Sequence, residues 1–267
     1  MGTIGFIGGG NMAEALIKGI ITAKLYKPEN IFVSDIKQDR LLYLSKYNVH
    51  LAANNAEAAA KADILVLAVK PQDMIQALQS IKGSVREDTL IISIAAGKRV
   101  ADIAKILGEA AIVRVMPNTP ALIGEGASAL FANFKAKPVL ANAERIFSAV
   151  GKAVVVDDEA LIDVVTAISG SGPAYYFLLM EEMIKAAVEL GLPEDLAKDL
   201  VLQTAKGAAL LAIDADKKHE PPAELRRKVT SPGGTTAAAL KVFELRNFRR
   251  LVAEAAEQAC KRSRELS

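Results

Sequence analysis

An α/β domain on a parallel sheet is predicted for residues 1–156, followed by an all-helical domain over 157–267. Two observations carry this. Short β-branched runs alternate with helical patterns up to Val156 and then disappear. One run, Ile64-Leu65-Val66-Leu67-Ala68-Val69, is apolar throughout, as a strand buried on both faces must be. Alternation of this kind favours parallel strands joined by right-handed crossovers.

In order, residues 3–7 read as a strand, 11–22 as a helix, 31–35 as a strand and 38–46 as a helix. Strands are expected at 64–69, 90–93 and 112–115, with 128–131 and 153–156 extending the sheet at its edge. Beyond Asp157-Asp158, helices rich in Ala, Leu and Glu are expected at 159–168, 174–190, 193–213, 223–229, 235–245 and 247–265. Gly191-Leu192-Pro193 stops one helix and starts the next. The patterns at 174–190 and 201–213 are apolar around much of their circumference. A domain of this size has difficulty covering both, so burial against a second chain is expected, the alternative being the first domain.

Bulk properties exclude several function classes. The chain has 267 residues, 51% of them hydrophobic and 24% charged, with a net charge of +2. Nothing there indicates a nucleic-acid or polyanion partner. The longest apolar strand-like run is too short to span a bilayer, and residues 1–12 lack the basic start of a signal peptide. A single cysteine, Cys260, rules out an internal disulfide and fits a reducing, cytoplasmic setting. Two histidines, His50 and His219, lie outside every glycine motif, and no Cys/His cluster has metal-ligand spacing. A histidine acid/base mechanism and a metal are therefore not expected.

The chemistry sits in loops. Gly8-Gly9-Gly10-Asn11-Met12-Ala13 follows the first strand and opens a helix, matching the G-x-G-x-x-A dinucleotide fingerprint of a Rossmann-like domain. Gly8 allows the tight turn, Gly10 the approach of a pyrophosphate, and Ala13 close helix–sheet packing. The second strand ends at Ser34-Asp35. An acid there would read the adenine ribose and favour NADH, whereas Ser34, Lys37 and Arg40 would hold the 2′-phosphate of NADPH. NADPH is the cofactor expected, with NADH possible. Ala68-Val69-Lys70-Pro71 and Ser93-Ile94-Ala95-Ala96-Gly97 occupy carboxyl ends of strands, where open α/β sheets bind ligands.

Three segments are ambiguous. Asn118, in Met116-Pro117-Asn118-Thr119-Pro120, either braces a rigid loop or contacts the cofactor. The run from Thr166 through Ser169-Gly170-Ser171-Gly172-Pro173 interrupts a helical pattern, as a packing kink or to bring Thr166 and the backbone to the cofactor. Glu159 is either a helix-start acid or a ligand-facing one.

Near the other end, Val229-Thr230-Ser231-Pro232-Gly233-Gly234-Thr235-Thr236 crowds hydroxyls around a Pro-Gly-Gly turn before an apolar helix. Convergent backbone amides and a helix start form a small anion site there, or else a capped turn.

Taken together, the first loop, the Ala68–Pro71 segment, Arg114 to Pro120, Ser169 to Tyr175 and Val229 to Thr236 give the whole chain a resemblance to the pyrroline-5-carboxylate reductases. The resemblance implies reduction of a cyclic imine to L-proline by NAD(P)H, the last step of proline biosynthesis. It implies that Ile7 to Met12, Asn55, Ala68 to Pro71 and Ile94 to Ala96 form the cofactor site. It also implies that Ser231, Gly233, Gly234, Thr235 and Thr236 hold the substrate carboxylate, with the Thr236 hydroxyl on the ring nitrogen. Helical domains interlocked in a homodimer, and decamers built from dimers, are implied as well. Lys228 stands where some relatives have an amide.

Two other readings have discriminating features. A hydroxyacid dehydrogenase would carry a catalytic lysine shortly after Gly172, yet none occurs before Lys185. A nucleotide-binding regulator would have no use for the Thr235-Thr236 turn.

Overall fold

The computed structural model describes residues 2–266. Among the described residues, eight strands form one sheet: β1 Ile4–Ile7, β2 Ile31–Ser34, β3 His50–Leu51, β4 Ile64–Leu67, β5 Leu90–Ser93, β6 Ala111–Met116, β7 Gly126–Ala132 and β8 Gly151–Val155. Their order is β3-β2-β1-β4-β5-β6-β7-β8. Chain direction on leaving β1 goes one way to β2 and β3, then reverses at β4, so the crevice above β1 and β4 is a topological switch point.

The connecting helices are α1 Asn11–Thr22, α2 Gln38–Leu44, α3 Asn55–Lys61, α4 Met74–Ile81, α5 Val100–Leu107 and α6 Leu140–Ser148. Strands β1, β4 and β5 are buried along their whole length because helices cover both faces. Ile4, Phe6, Val66 and Ile92 pack into the cluster on one face. Ile7, Leu65, Leu67 and Ile91 pack into the cluster on the other.

The sheet departs from all-parallel expectation at one place. β7 runs antiparallel to β6, with Val113 opposite Ala132 and Met116 opposite Ala129. The connection between them holds only the short 3₁₀ turn Thr119–Ile123. A parallel return needs a crossover of a dozen or more residues, so the chain must double back. α6 then supplies that crossover, and β8 pairs parallel to β7.

The helical half comprises α7 Leu161–Val165, α8 Gly172–Glu189, α9 Glu194–Asp216, α10 Pro222–Lys228, α11 Thr235–Leu245 and α12 Phe248–Glu265. Between α7 and α8 the chain makes a π-helical turn, Thr166–Gly170, at the Ser/Gly interruption. Strand content ends at Val155, beside the compositional change at 156. Compactness divides the chain differently: one unit runs through Pro173 and includes Gln258 onward, and the other is Ala174–Glu257. Residues after 156 stay with the sheet because Asp163 of α7 meets Arg114 of β6 and Ser263 of α12.

Within the second unit, Tyr176, Phe177 and Leu178 are consecutive on α8 and 67%, 60% and 59% exposed. Consecutive helical residues point about 100° apart, so this helix is apolar around its girth. Leu210, Leu211 and Ile213 of α9 are exposed in the same way. Among the described residues no helix is long and apolar enough to cross a membrane.

Candidate functional site

Local sequence fixes the first loop. Gly8 has φ +95°, a conformation that glycine tolerates. A Cβ there would lie 2.8 Å from the Ala68 carbonyl oxygen, so Gly8 lets the β1 and β4 ends close together. Gly10 differs: a Cβ there would meet nothing within 4 Å, leaving its outer side open to a ligand. Gly10 is also the N-cap of α1 and offers no side-chain cap. The first amides of α1 therefore face outward with the positive end of the helix dipole, which suits a pyrophosphate.

The Gly9 peptide is held from both sides. Its N–H donates to Asp35 Oδ2 at 2.7 Å, and its carbonyl accepts Arg40 Nε. Asp35 Oδ1 also accepts the Lys37 amide at 2.8 Å. Arg40 in turn donates to Glu14 Oε2 at 2.7 Å, and Glu14 gathers Lys46 and Tyr47 as well. Burial alone would raise the Glu14 pKa. Hydrogen bonds from Arg40, Tyr47, Lys46 and Tyr43 outweigh it and hold the carboxyl at about 2.

A cavity of about 440 Å³ opens at the switch point. Gly8, Gly10, Asn11, Asp35, Lys37 and Arg40 line one part, and Asn55, Ala68, Val69 and Lys70 another. Gln72, Gln76 and Ser80 also line it and were not singled out by sequence, because polar residues on a helix carry no local signal of the pocket they face. An open Gly10, an uncapped helix start and an acid at the β2 end fit a dinucleotide in this cavity.

Other expected cofactor residues have different positions. Ile7 is a buried core residue, Met12 packs against the core, and Pro71 opens a 3₁₀ turn after Lys70. Ser34 corrects the expectation of a direct phosphate contact: it is 1% exposed, and its hydroxyl donates to Asn55 Oδ1 at 2.7 Å. Asn55 Nδ2 then donates to Ser80 Oγ at 2.9 Å, so Ser34 orients Asn55 from behind. Ile94, Ala95 and Ala96 follow β5, with the Ile94 amide on the Leu67 carbonyl at 3.2 Å.

Asn118 and Thr166 also turn inward. Asn118 Nδ2 donates to the Ser169 carbonyl at 3.0 Å, and its Oδ1 accepts the Ala127 amide at 2.8 Å. The amide thus ties β7 to the π-helical turn. Thr166 Oγ1 donates to the Ile162 carbonyl at 2.7 Å. Neither residue lines the cavity.

Glu159, left by the sequence as either a helix-start acid or a ligand-facing one, is likewise tied internally. Its Oε1 accepts the Val100 amide at 2.9 Å and Arg114 Nη1 at 3.1 Å. Arg114 is 1% exposed, and its Nη2 lies 3.4 Å from Asp163 Oδ1. Sequence reasoning missed the Arg114–Asp163 pair, although a cation inside the strand run Ile112-Val113-Arg114-Val115 demands a buried acid.

The second glycine loop lies in the helical unit. Gly233 has φ +71°, and the Gly234 amide donates to the Ser231 carbonyl at 3.0 Å. Gly234 is an extended N-cap with no side-chain cap, and Thr235 begins α11. The Thr230 hydroxyl anchors the loop by donating to the Arg226 carbonyl at 2.6 Å. Uncapped amides after a left-handed glycine make a nest for a small anion, with the Thr236 hydroxyl one residue into the helix. Lys228 pairs with Glu220 just before the loop.

Known proteins resemble this chain over its full length. Residues 159–266 match the family model described as pyrroline-5-carboxylate reductase dimerisation, and 3–97 match that of NADP oxidoreductase, coenzyme F420-dependent. The pyrroline-5-carboxylate reductase of Pseudomonas aeruginosa is 46% identical across 99% of this chain and 96% of its own. A solved Coxiella burnetii pyrroline-5-carboxylate reductase superposes with TM-score 0.92 at 42% identity, covering 100% of this chain and 98% of that one. A Plasmodium falciparum pyrroline carboxylate reductase, crystallised with NADP bound, gives 0.87 at 35% identity over 99% and 97% of the two chains.

Proposed function

This chain belongs to the pyrroline-5-carboxylate reductase family, and we propose that its two glycine loops are the cofactor and substrate halves of one active site. It is an NAD(P)H-dependent oxidoreductase that reduces the C=N bond of 1-pyrroline-5-carboxylate to give L-proline, the final step of proline biosynthesis. The observation that carries the assignment of residues is the pair of uncapped helix starts behind glycines, Gly10 before α1 and Gly234 before α11.

In this reading the Gly8 to Met12 loop cradles the pyrophosphate on the α1 amides. Asp35, Lys37 and Arg40 face the adenine ribose, and Asn55 with Ala68 to Lys70 lines the path toward the nicotinamide. Bound there, the reduced nicotinamide supplies the hydride. Ser34 and Pro71 act from behind by fixing Asn55 and the Lys70 turn. Ile94 to Ala96 flank the nicotinamide end.

The Ser231 to Thr235 backbone holds the substrate carboxylate, which fixes the pyrroline ring by its acidic end. Thr236 then places a hydroxyl at the ring nitrogen, where it donates a hydrogen bond to the neutral imine and can pass it the one proton the amine keeps, water returning a proton to the hydroxyl. A protonated imine is already electrophilic, so positioning does most of the work and no histidine is required. Lys185, the first lysine after Gly172, is engaged by Glu181 and Glu182 on the surface of α8 and does not serve as a general acid.

The helical half carries the family's dimerisation domain, and the chain associates through it. We assign residues 157–267 to that dimerisation and substrate domain and 1–156 to the cofactor domain. The assembly is read as a homodimer whose sites join the cofactor domain of one subunit to the Thr236 loop of the other, with decamers built from dimers. A cytoplasmic location is proposed on the single cysteine. Purified protein should oxidise NADPH on addition of 1-pyrroline-5-carboxylate and release proline stoichiometrically. Absence of both would overturn the assignment.

A further inference from the structure

We propose that the last turn of α12 and the residue that follows it, through Ser263 and Leu266, form a positioning element for the Ile94–Lys98 turn and so for the nicotinamide end of the cofactor site. The proposal rests on the reading that Ile94 to Ala96 flank the nicotinamide.

Three contacts pin this turn. Its first amide, Ile94 N–H, donates to the Leu67 carbonyl at 3.2 Å, which sets it beside the end of β4. At its far side the Val100 amide is held by Glu159 at 2.9 Å. Between them, Gly97 has φ +70° and is pressed against the end of α12. A Cβ on Gly97 would lie 2.8 Å from both Cβ and the carbonyl oxygen of Leu266. The Gly97 backbone thus meets the Cβ and carbonyl of Leu266, and a displacement of Leu266 leaves the crest of the turn unsupported.

Leu266 is itself held in place. Its amide closes the helix on the Arg262 and Ser263 carbonyls, each at 3.2 Å. One turn back, the Ser263 hydroxyl donates to Asp163 Oδ1 at 2.8 Å, with both residues buried. Asp163 and Glu159 both meet Arg114, so the helix end and the Val100 anchor share one cation. Arg114 and Ser93 are register partners on adjacent strands, and Ser93 is the residue from which the turn departs. None of these side chains lines the dinucleotide cavity, so their influence is through placement of the backbone.

The test uses the full chain with Ser263→Ala, Leu266→Gly (which removes the Cβ facing Gly97), Leu266→Met and Ala96→Val. The first two should lower kcat/KM for the dinucleotide by about tenfold. Leu266→Met, which keeps the contacting Cβ, should stay within about twofold of the parent. ADP-ribose, with or without a 2′-phosphate, carries every part of the cofactor except the nicotinamide, and its inhibition constant should stay within about twofold. Weakening of ADP-ribose in parallel, or no change in kcat/KM, overturns the proposal. Ala96→Val separates it from the reading beneath it. If Ala96→Val impairs turnover and the α12 variants do not, the proposal falls and the turn keeps its place at the nicotinamide. If Ala96→Val has no effect, both fall.

Discussion

Asp35 Oδ2 accepts the amide proton of Gly9 at 2.7 Å, joining the end of β2 to the loop that opens α1. The acid at this position is thereby fixed in orientation before any ribose arrives. Its charge stands in the cavity beside Lys37 and Arg40, and Arg40 is already committed to Glu14. Asp35→Asn keeps an acceptor for Gly9 and removes one negative charge. The ratio of kcat/KM for NADPH over NADH should rise by roughly tenfold, equivalent to ~1.4 kcal/mol. Initial rates with each cofactor check this, and an unchanged ratio would move the adenine ribose away from Asp35.

Arg114 is a fully buried cation of the sheet unit, between Glu159 and Asp163. Truncating one partner of such a group strands the other charge in a dry interior, at about 3–5 kcal/mol. Arg114→Met should lose stability on that scale in urea unfolding at fixed protein concentration. Arg114→Met combined with Asp163→Asn should recover part of the loss, since the more deeply buried of the two stranded carboxylates is gone. By contrast Arg86 and Asp63 meet at the surface, and Arg86→Met should cost under about 1 kcal/mol.

The difference between what was legible and what was not follows from sequence separation. Gly8 and Gly10 could be read because a tight turn and an open helix start need nearby residues only. The Thr235-Thr236 helix start was readable for the same reason. That Asp35 holds Gly9 was not, because the two come together only when β1 and β2 pair in register. Arg114 inside the β6 run called for a buried acid, a signal that was missed. Which acid depended on α7 packing beneath β6, and the Ser263 contact bridges 100 positions. Ser34 and Asn118 carried the right polar groups for a cofactor, but a strand end and a loop can turn such groups inward as easily as outward. The reversal of β7 was foreseeable from the short stretch after Met116, where no crossover helix fits.

Glu14 should register in acid stability. Its carboxyl is held at about 2, below the ordinary 4.5, by the hydrogen bonds of Arg40, Tyr47, Lys46 and Tyr43 acting against burial. A folded value below the unfolded one gives a contribution that is complete above pH 4.5 and is lost as pH falls through about 2. The stability difference between the parent chain and Glu14→Gln should therefore narrow across that window and stay constant above it. Thermal unfolding at a series of pH values measures this. A constant difference down to pH 2 would show that Glu14 contributes packing alone.

Thr236 and the Gly10 loop lie in different compact units of the chain, which makes subunit complementation a direct test of how sites are assembled. Thr236→Ala should lower kcat strongly and leave NADPH binding nearly unchanged, because in the proposed site the residue acts only at the imine. Gly10→Val should fill the open side of the first loop and abolish cofactor binding. Mixed and reassociated at random, half of the dimers carry one subunit of each kind. If a site joins two subunits, each mixed dimer has one intact site of two, and the mixture should recover about a quarter of the parent rate. If a site lies within one subunit, no combination is intact and the mixture should stay inactive. Cofactor oxidation before and after reassociation decides between the two.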